Sequence, residues 1–155
     1  MSETDSSLDI PEQDPCAFCD YLSGARPFTV LHRSPLVAVL VTREQRGVGH
    51  VLVVPTRHYP TLLESNGVER HALIDTVSWA AAAIDAAYER PGIAVWQNNG
   101  TAAHQAIPHL HFHVAGTLPG GGTSFEDVPE LSVDETDLIA QRILKASTAR
   151  PDLLP

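Results

Sequence analysis

Three histidines at alternate positions, His109, His111 and His113, carry the clearest chemical signal in this sequence. Alternate side chains of a β-strand point to the same side of a sheet, so we expect the three imidazoles to share one face. The apolar residues that follow each of them then face the core: Leu110, Phe112 and Val114. A neutral imidazole is a nucleophile and a metal ligand at pH 7, and a protonated one supplies positive charge. The run therefore predicts a catalytic or metal-binding face.

A single metal ion is a poor explanation for all three histidines. A strand rises about 3.3 Å per residue, which separates His109 from His113 by about 13 Å. Zn–N bonds are only about 2.0–2.1 Å long, so one ion reaches two neighbouring histidines but hardly three. A zinc hydrolase that uses all three as ligands is therefore disfavoured.

The two cysteines, Cys16 and Cys19, have the C-x-x-C spacing. In a reducing compartment this spacing indicates a metal site or a redox pair more than a structural disulfide. A thioredoxin-like redox pair follows a strand in a βαβ unit, whereas only a polar segment precedes Cys16. A metal site is the preferred interpretation, and a redox pair or two free thiols are the alternatives.

The apolar pattern predicts five strands and two helices around these residues. The strands are expected at 28–32, 37–41, 50–54, 93–97 and 109–115. Asn66 and Ser132 each have a glutamate three residues later, a capping-box pattern that begins a long helix and a terminal helix ending near Lys145. The order β-β-β-α-β-β-α predicts an α+β domain with a largely antiparallel five-stranded sheet, one long central helix and a C-terminal helix.

The composition fits one domain. With 155 residues and 43% hydrophobic content, the chain is long enough for a single core. We expect the domain at 15–147, between an acidic, disordered tail at 1–14 and a C-terminal tail at 148–155. The net charge of −9 argues against binding to nucleic acid or to anionic membranes. Without a leader pattern or a long apolar run, the sequence predicts a cytoplasmic protein that does not enter membranes.

Two segments together resemble the histidine-triad (HIT) nucleotide-binding family. They are Gly-His-Val-Leu-Val-Val-Pro-Thr-Arg-His at 49–58 and Gln-Asn-Asn-Gly-Thr-Ala-Ala-His-Gln-Ala-Ile-Pro-His-Leu-His-Phe-His at 97–113. The resemblance extends from about Cys16 to Gly116. It implies an α+β homodimer that hydrolyses or transfers nucleotidyl groups from nucleoside phosphoramidates, dinucleoside polyphosphates or related conjugates. By the same resemblance, His111 attacks the α-phosphorus, and water later releases the nucleoside monophosphate from His111.

The resemblance also implies roles for neighbouring side chains. His109 and His113 flank the nucleophile and supply hydrogen bonds and positive charge, and the amide of Gln105 is a further donor to the phosphate. Asn98 and Gln105 occupy positions that contact the phosphate or the ribose in the family. For a lone amide, hydrogen bonds that close a loop are the alternative role. The predicted nucleotide contacts are Thr42, Asn98, Gln105, His111 and His113.

A structural zinc ion, one per chain, is implied for a bacterial branch of the family. The matching positions here are Cys16, Cys19, His58 and His109. Four protein ligands close a tetrahedral site and leave no position for a reactive water. A metal-dependent hydrolase is the contrasting hypothesis, because it would lose catalysis on chelation without unfolding.

Three residues depart from the family pattern. Thr42 replaces the carboxylate or amide that holds the ribose hydroxyls, His104 replaces a glycine, and Ala106 replaces a serine or threonine. These changes affect rate and specificity and leave the nucleophile in place. The alternative function is a nucleotide-binding regulatory protein with little turnover.

Overall fold

The computed structural model describes residues 6–148, which form one antiparallel sheet and three α-helices. The strands are β1 (Val30–Arg33), β2 (Val37–Val41), β3 (Val48–Pro55), β4 (Ile93–Gln97) and β5 (Phe112–Gly116). The helices are α1 (Ala17–Ser23), α2 (Gly67–Tyr88) and α3 (Val133–Thr148). The strand order is β1-β2-β3-β5-β4, and each neighbouring pair is antiparallel. The predicted α+β fold, with its five-stranded sheet and long central helix, is confirmed. The short helix α1 was not expected.

The sheet separates two apolar layers. On one face, α2 and α3 pack against alternate strand residues such as Val39, Val53 and Val114. On the other face, Phe18 of α1 packs in a smaller cluster with Leu52 of β3. Because side chains alternate along a strand, the residues between the core valines belong to this second face. The histidines of the candidate site described below lie there.

The predicted capping boxes begin the two long helices, although they differ in detail. The side-chain oxygen of Asn66 accepts the N–H of Glu69 at 2.8 Å, but the Glu69 carboxylate pairs with Arg57 at 2.7 Å instead of returning to the cap. Ser132 and Glu135 close their box with hydrogen bonds of 2.9 and 3.1 Å. Within residues 6–148, no helix is both long and apolar enough to cross a membrane.

The described part of the predicted tail at 1–14 contacts the rest of the domain. The Asp9 carbonyl accepts the N–H of Thr101 at 2.7 Å. The backbone of Asp9 passes close to Gly100, and the side chain of Gln13 accepts the N–H of Ala17 at 2.9 Å. Disorder of the tail stays a prediction from its acidic composition. Residues 1–5 and 149–155, which include most of the predicted C-terminal tail, lie outside the described residues.

Strand β5 begins at Phe112 and not at His109 as predicted. Its pairing with both β3 and β4 starts at Phe112, which lies opposite Val53 and Gln97. The N–H of Leu110 bonds instead to the carbonyl of Tyr59 at 2.8 Å. The segment that carries the first two histidines therefore precedes the regular strand. Leu110 is fully buried in the core, as expected.

Candidate functional site

A cavity of about 460 Å³ opens on the second face of the sheet. Its size lies within the range of about 300–1,000 Å³ that is typical of small-molecule sites. Four of the five predicted nucleotide contacts line it: Thr42, Asn98, His111 and His113. Apolar surface comes from Phe18, Leu52 and Ile107. The cavity therefore joins an apolar wall to a row of imidazoles.

His111 is buried, and its surroundings determine which of its ring nitrogens carries the proton. Its Nδ1 lies 2.7 Å from the carbonyl oxygen of His109. A carbonyl oxygen only accepts, so Nδ1 carries the proton and Nε2 keeps its lone pair. The rings of Phe18 and His113 contact His111 edge-on, with centroids 5.0 Å away in each case. Burial lowers the pKa of His111. The result is a neutral imidazole whose Nε2 is available for attack.

Two consecutive hydrogen bonds fix the tautomers of His50 and His113 at the cavity. The backbone N–H of Arg46 donates to Nδ1 of His50 at 3.1 Å, so the proton of His50 resides on Nε2. That Nε2 lies 3.0 Å from Nδ1 of His113 and donates to it. His113 must then carry its own proton on Nε2, which becomes a hydrogen-bond donor. His50 thereby sets the tautomer of His113.

The same two histidines are held neutral by burial. Burial lowers the pKa of His50 to about 3. Burial, assisted by the neighbouring imidazoles and the Arg46 guanidinium, lowers the pKa of His113 to about 2. The indole of Trp96 stacks on the His113 ring with centroids 4.7 Å apart and planes 2° apart. Both rings therefore keep one orientation and one protonation state at neutral pH.

Hydrogen bonds from the Gln45 side chain hold the segment between β2 and β3 in place. The Gln45 side chain accepts the N–H of His50 and donates to the carbonyls of Thr42 and His50, at 2.7–2.9 Å. Gly49 has a φ of 66° and leaves room for the ring of Tyr88, which a Cβ would approach to 2.6 Å. The glycine before His50 is therefore required by a left-handed backbone and a close contact.

Gln105 lies behind the cavity wall. Its side chain accepts the N–H of Gly100 at 2.7 Å and donates to the carbonyls of Pro60 and Ile107 at 2.6 and 3.0 Å. These bonds use both amide hydrogens, and the residue is only 2% exposed. These bonds are the loop-closing contacts considered as the alternative role. The predicted contact of Gln105 with the nucleotide stays a prediction.

A second cluster joins Cys16, Cys19, His58 and His109. Their ligand atoms all lie within 4.8 Å of one another, with S–N distances of 3.4–3.6 Å and 3.2 Å between the two Nδ1 atoms. Tetrahedral zinc bonds of about 2.3 Å to sulfur and 2.0–2.1 Å to nitrogen would give edges of about 3.6 Å and about 3.4 Å. The four side chains therefore fit a tetrahedral metal ion.

His109 belongs to this cluster and not to the cavity. Its Nε2 donates to the carbonyl of Pro55 at 2.8 Å, which leaves the Nδ1 lone pair directed at the cysteines. Such a hydrogen bond orients histidine ligands in metal sites generally. The ring of Phe18 contacts both His109 and His111, so it separates the two sites. The three predicted histidines therefore belong to two sites. The side chain of His109 lies with the candidate metal ligands. The backbone carbonyl of His109 orients His111 at the cavity.

Some cavity residues were not singled out from the sequence. Glu44, Trp96 and Phe125 all line it, and Phe125 is 88% exposed at its edge. Arg46 holds the Phe125 loop on both sides, since its carbonyl accepts the N–H of Ser124 and its guanidinium donates to the Glu126 carbonyl. The alternation of β4 places Trp96 on the same face as His113. Nothing periodic in the sequence marks the other two residues.

The fold and its two histidine-containing sites define an α+β domain with a small-molecule cavity beside a candidate metal centre. The sequence profile of the HIT domain matches residues 23–119, and the chain belongs to the HIT family. It is 31% identical over 102 residues to a protein named adenylylsulfatase HINT3 from Arabidopsis thaliana. That match covers 66% of this chain and 52% of the plant protein, so the likeness spans about half of that relative.

Other relatives are matched over nearly their whole length. An uncharacterized HIT-like protein of Methanocaldococcus jannaschii is 30% identical over 122 residues, covering 77% of this chain and 94% of that protein. A Bartonella henselae HIT-like protein superposes with a TM-score of 0.79 at 23% identity, over 88% of this chain and 98% of the other. A zinc-bound HIT protein of Mycobacterium smegmatis gives 0.73 with the same identity and coverage. At these identities the two structures establish the fold.

Proposed function

We propose that this protein is a nucleotide hydrolase or nucleotidyl transferase that acts through a covalent nucleotidyl-His111 intermediate. Its substrates are nucleoside phosphoramidates, dinucleoside polyphosphates or related conjugates such as adenylyl sulfate. The observation that carries the proposal is the state of His111. It is neutral and buried at the cavity, its Nδ1–H donates to a carbonyl, and no hydrogen bond from residues 6–148 reaches its Nε2. Curated relatives named adenylylsulfatase and adenosine 5′-monophosphoramidase support this substrate class.

In the first step, Nε2 of His111 attacks the α-phosphorus and the bond to the leaving group breaks. The imidazole becomes a cation, and the His109 carbonyl stabilises it by accepting the Nδ1–H. Negative charge on the phosphate oxygens requires donors that are already in place. The Nε2–H of His113 is such a donor, because His50 fixes the proton there. The His109 carbonyl and the Nε2–H of His113 keep their positions during the step.

In the second step, a water oxygen attacks the same phosphorus and the bond to His111 breaks. The nucleoside monophosphate leaves, and His111 returns to its neutral form with the proton on Nδ1. A covalent intermediate divides one difficult displacement into two easier ones. If an acceptor alcohol or amine replaces water, the same residues perform nucleotidyl transfer.

The remaining cavity residues bind and orient the substrate. Thr42 and Asn98 provide polar contacts for the sugar and the phosphate, and Gln105 fixes the loop that carries Asn98 and Ala106. Phe18 and Leu52 supply the apolar wall against which a nucleobase packs. Thr42 offers only a hydroxyl, whose oxygen already accepts the N–H of Glu44 at 3.2 Å. Recognition of the ribose is consequently weaker than a carboxylate would give.

The cluster of Cys16, Cys19, His58 and His109 holds a structural zinc ion in this proposal. The fit of its distances to tetrahedral zinc and the zinc-bound relative support it. An ion bound by these four ligands would join α1 to the segment before β5 and would have no open position for catalysis. Its ligands would hold in place the segment whose carbonyl orients His111.

A homodimer through β4 completes the proposed assembly. This strand is an edge of the sheet, and it carries no charge and no proline between Ile93 and Gln97. Natural proteins protect exposed edges with charges, prolines or a covering element. Val95 is 49% exposed on this strand. An unprotected apolar edge supports strand pairing with the same edge of a second copy.

The experiment is a turnover assay on a panel of nucleotide conjugates, with the His111→Asn variant as the matched control. The panel contains a nucleoside phosphoramidate, adenylyl sulfate and a dinucleoside polyphosphate, and nucleotide binding is measured in parallel. Release of nucleoside monophosphate by the natural protein alone supports the proposal. Retained binding without turnover would instead assign the regulatory function, and immediate loss of turnover on chelation of a folded protein would indicate a metal-dependent hydrolase.

A further inference from the structure

The cavity contains a fourth imidazole, His104, whose setting differs from the others. His50, His111 and His113 are buried or half-buried against the sheet, whereas His104 is exposed at the cavity wall. It is not among the residues that hold the candidate metal site. His104 thus faces the cavity as a solvent-accessible imidazole.

The backbone holds His104 in a conformation that side chains rarely adopt. Its φ is 68°, in the left-handed region that favours glycine. The turn is fixed by hydrogen bonds from the His104 N–H to the Thr101 carbonyl at 2.9 Å and from the Asn98 side chain to the Ala103 carbonyl at 2.8 Å. A left-handed histidine stores some strain, and such strain concentrates at functional sites. Loop closure alone would be served better by glycine.

Displacement of an amine from phosphorus requires a proton donor. The nitrogen leaves as a neutral amine only if it gains a proton as the P–N bond breaks. Among the described residues that line the cavity, the other candidates are poorly suited. Arg46 does not release its proton, and Glu44 pairs with Arg46 at 3.2 Å. The low pKa values of His50 and His113 leave them without a surplus proton, and His111 is the nucleophile.

We infer that His104 is the general acid and base for an amine leaving group. This inference rests on the proposed function. As Nε2 of His111 bonds to phosphorus and the P–N bond breaks, the His104 imidazolium gives its proton to the departing nitrogen. In the second step, neutral His104 takes a proton from the attacking water while the bond between phosphorus and His111 breaks. Both histidines then return to their starting states.

The test compares leaving groups that differ in basicity. The substrates are a nucleoside 5′-phosphoramidate of an alkylamine and the p-nitrophenyl ester of the same nucleotide, whose leaving group needs no proton. The His104→Gly variant suits the left-handed turn, so its fold is retained. His104→Asn also tolerates that backbone and forms hydrogen bonds without transferring protons. His71→Asn is the matched control, because His71 is an exposed histidine on α2, where it pairs with Asp75.

The expected result is a change in selectivity. The ratio of kcat/KM for the amine substrate to that for the ester falls about a hundredfold or more in both His104 variants and stays unchanged in the His71 variant. Added imidazole restores part of the amine activity of His104→Gly, since the glycine leaves space at the cavity wall. An unchanged ratio, or equal losses on both substrates, would overturn the role of His104 alone. Failure of the natural protein to cleave either substrate would overturn the proposed function as well.

Discussion

Acid should destabilise this protein through the buried pair His50 and His113. Both have a pKa lowered by burial, to about 3 and about 2, whereas an unfolded histidine titrates near 6.5. A lowered pKa in the folded state means that the unfolded chain binds protons first. Stability is therefore full above about pH 7 and is lost as the pH falls below the unfolded value.

The size of the loss follows from these values. At pH 5 both folded rings remain neutral, since their pKa values lie two units or more below that pH. The unfolded rings are almost fully protonated, so each residue costs about 2 kcal/mol between pH 7 and pH 5, and the pair costs about 4 kcal/mol. The change is large against a typical stability of about 5–15 kcal/mol.

The assay is urea unfolding at pH 7 and pH 5, with protein and total zinc concentrations held constant. His50→Asn removes one of the two titrating groups, so it should lose about 2 kcal/mol less than the natural protein over this interval. Contributions from groups that do not contact His50, the metal ligands among them, cancel in that difference. His71→Asn, at an exposed position, serves as the control and should match the natural protein. Equal losses in His50→Asn and the natural protein would refute the burial of a neutral His50.

Three further outcomes are expected. Cys16→Ser should lower bound zinc from about one ion per chain to a small fraction and cost about 3 kcal/mol or more at free zinc a hundredfold above Kd; full zinc content in this variant, by metal analysis, would contradict the site. The natural protein should prefer ribose over 2′-deoxyribose about tenfold or less in kcat/KM, and Thr42→Asp should increase that preference. A thousandfold preference that Glu44→Gln abolishes would move ribose binding to Glu44. Val95→Lys should convert a dimer to a monomer of 16.7 kDa in sedimentation velocity, and an unchanged mass would exclude the β4 interface.

Much of the fold could be predicted because it follows from local periodicity. The alternating valines of β2 and β3 and the capping residues Asn66 and Ser132 act through contacts near in sequence. The start of β5 was less accessible, since Leu110 forms a backbone hydrogen bond to Tyr59, which lies far away in the sequence. The backbone contact between Asp9 and Thr101 is likewise one that no side-chain pattern encodes.

The identity of the site residues could be predicted better than the role of each residue. Spacing alone brought His109, His111 and His113 to attention, yet the metal cluster and the cavity use different members of that run. The tautomer of His113 depends on a hydrogen bond from His50, 63 positions away in the chain. The hydrogen bonds of Gln105 within its loop could not be predicted either, because they depend on the carbonyl of Pro60, which lies far away in the sequence.

The proposed mechanism depends on a covalent bond between a nucleotide and His111, which intact-mass spectrometry detects. The natural protein is mixed with a nucleoside phosphoramidate, quenched rapidly in denaturant at neutral pH and weighed. We expect a mass increase of one nucleotidyl group, located by peptide mapping at His111 and absent from His111→Asn. A labelled residue other than His111, or turnover at the natural rate by His111→Asn, would contradict it.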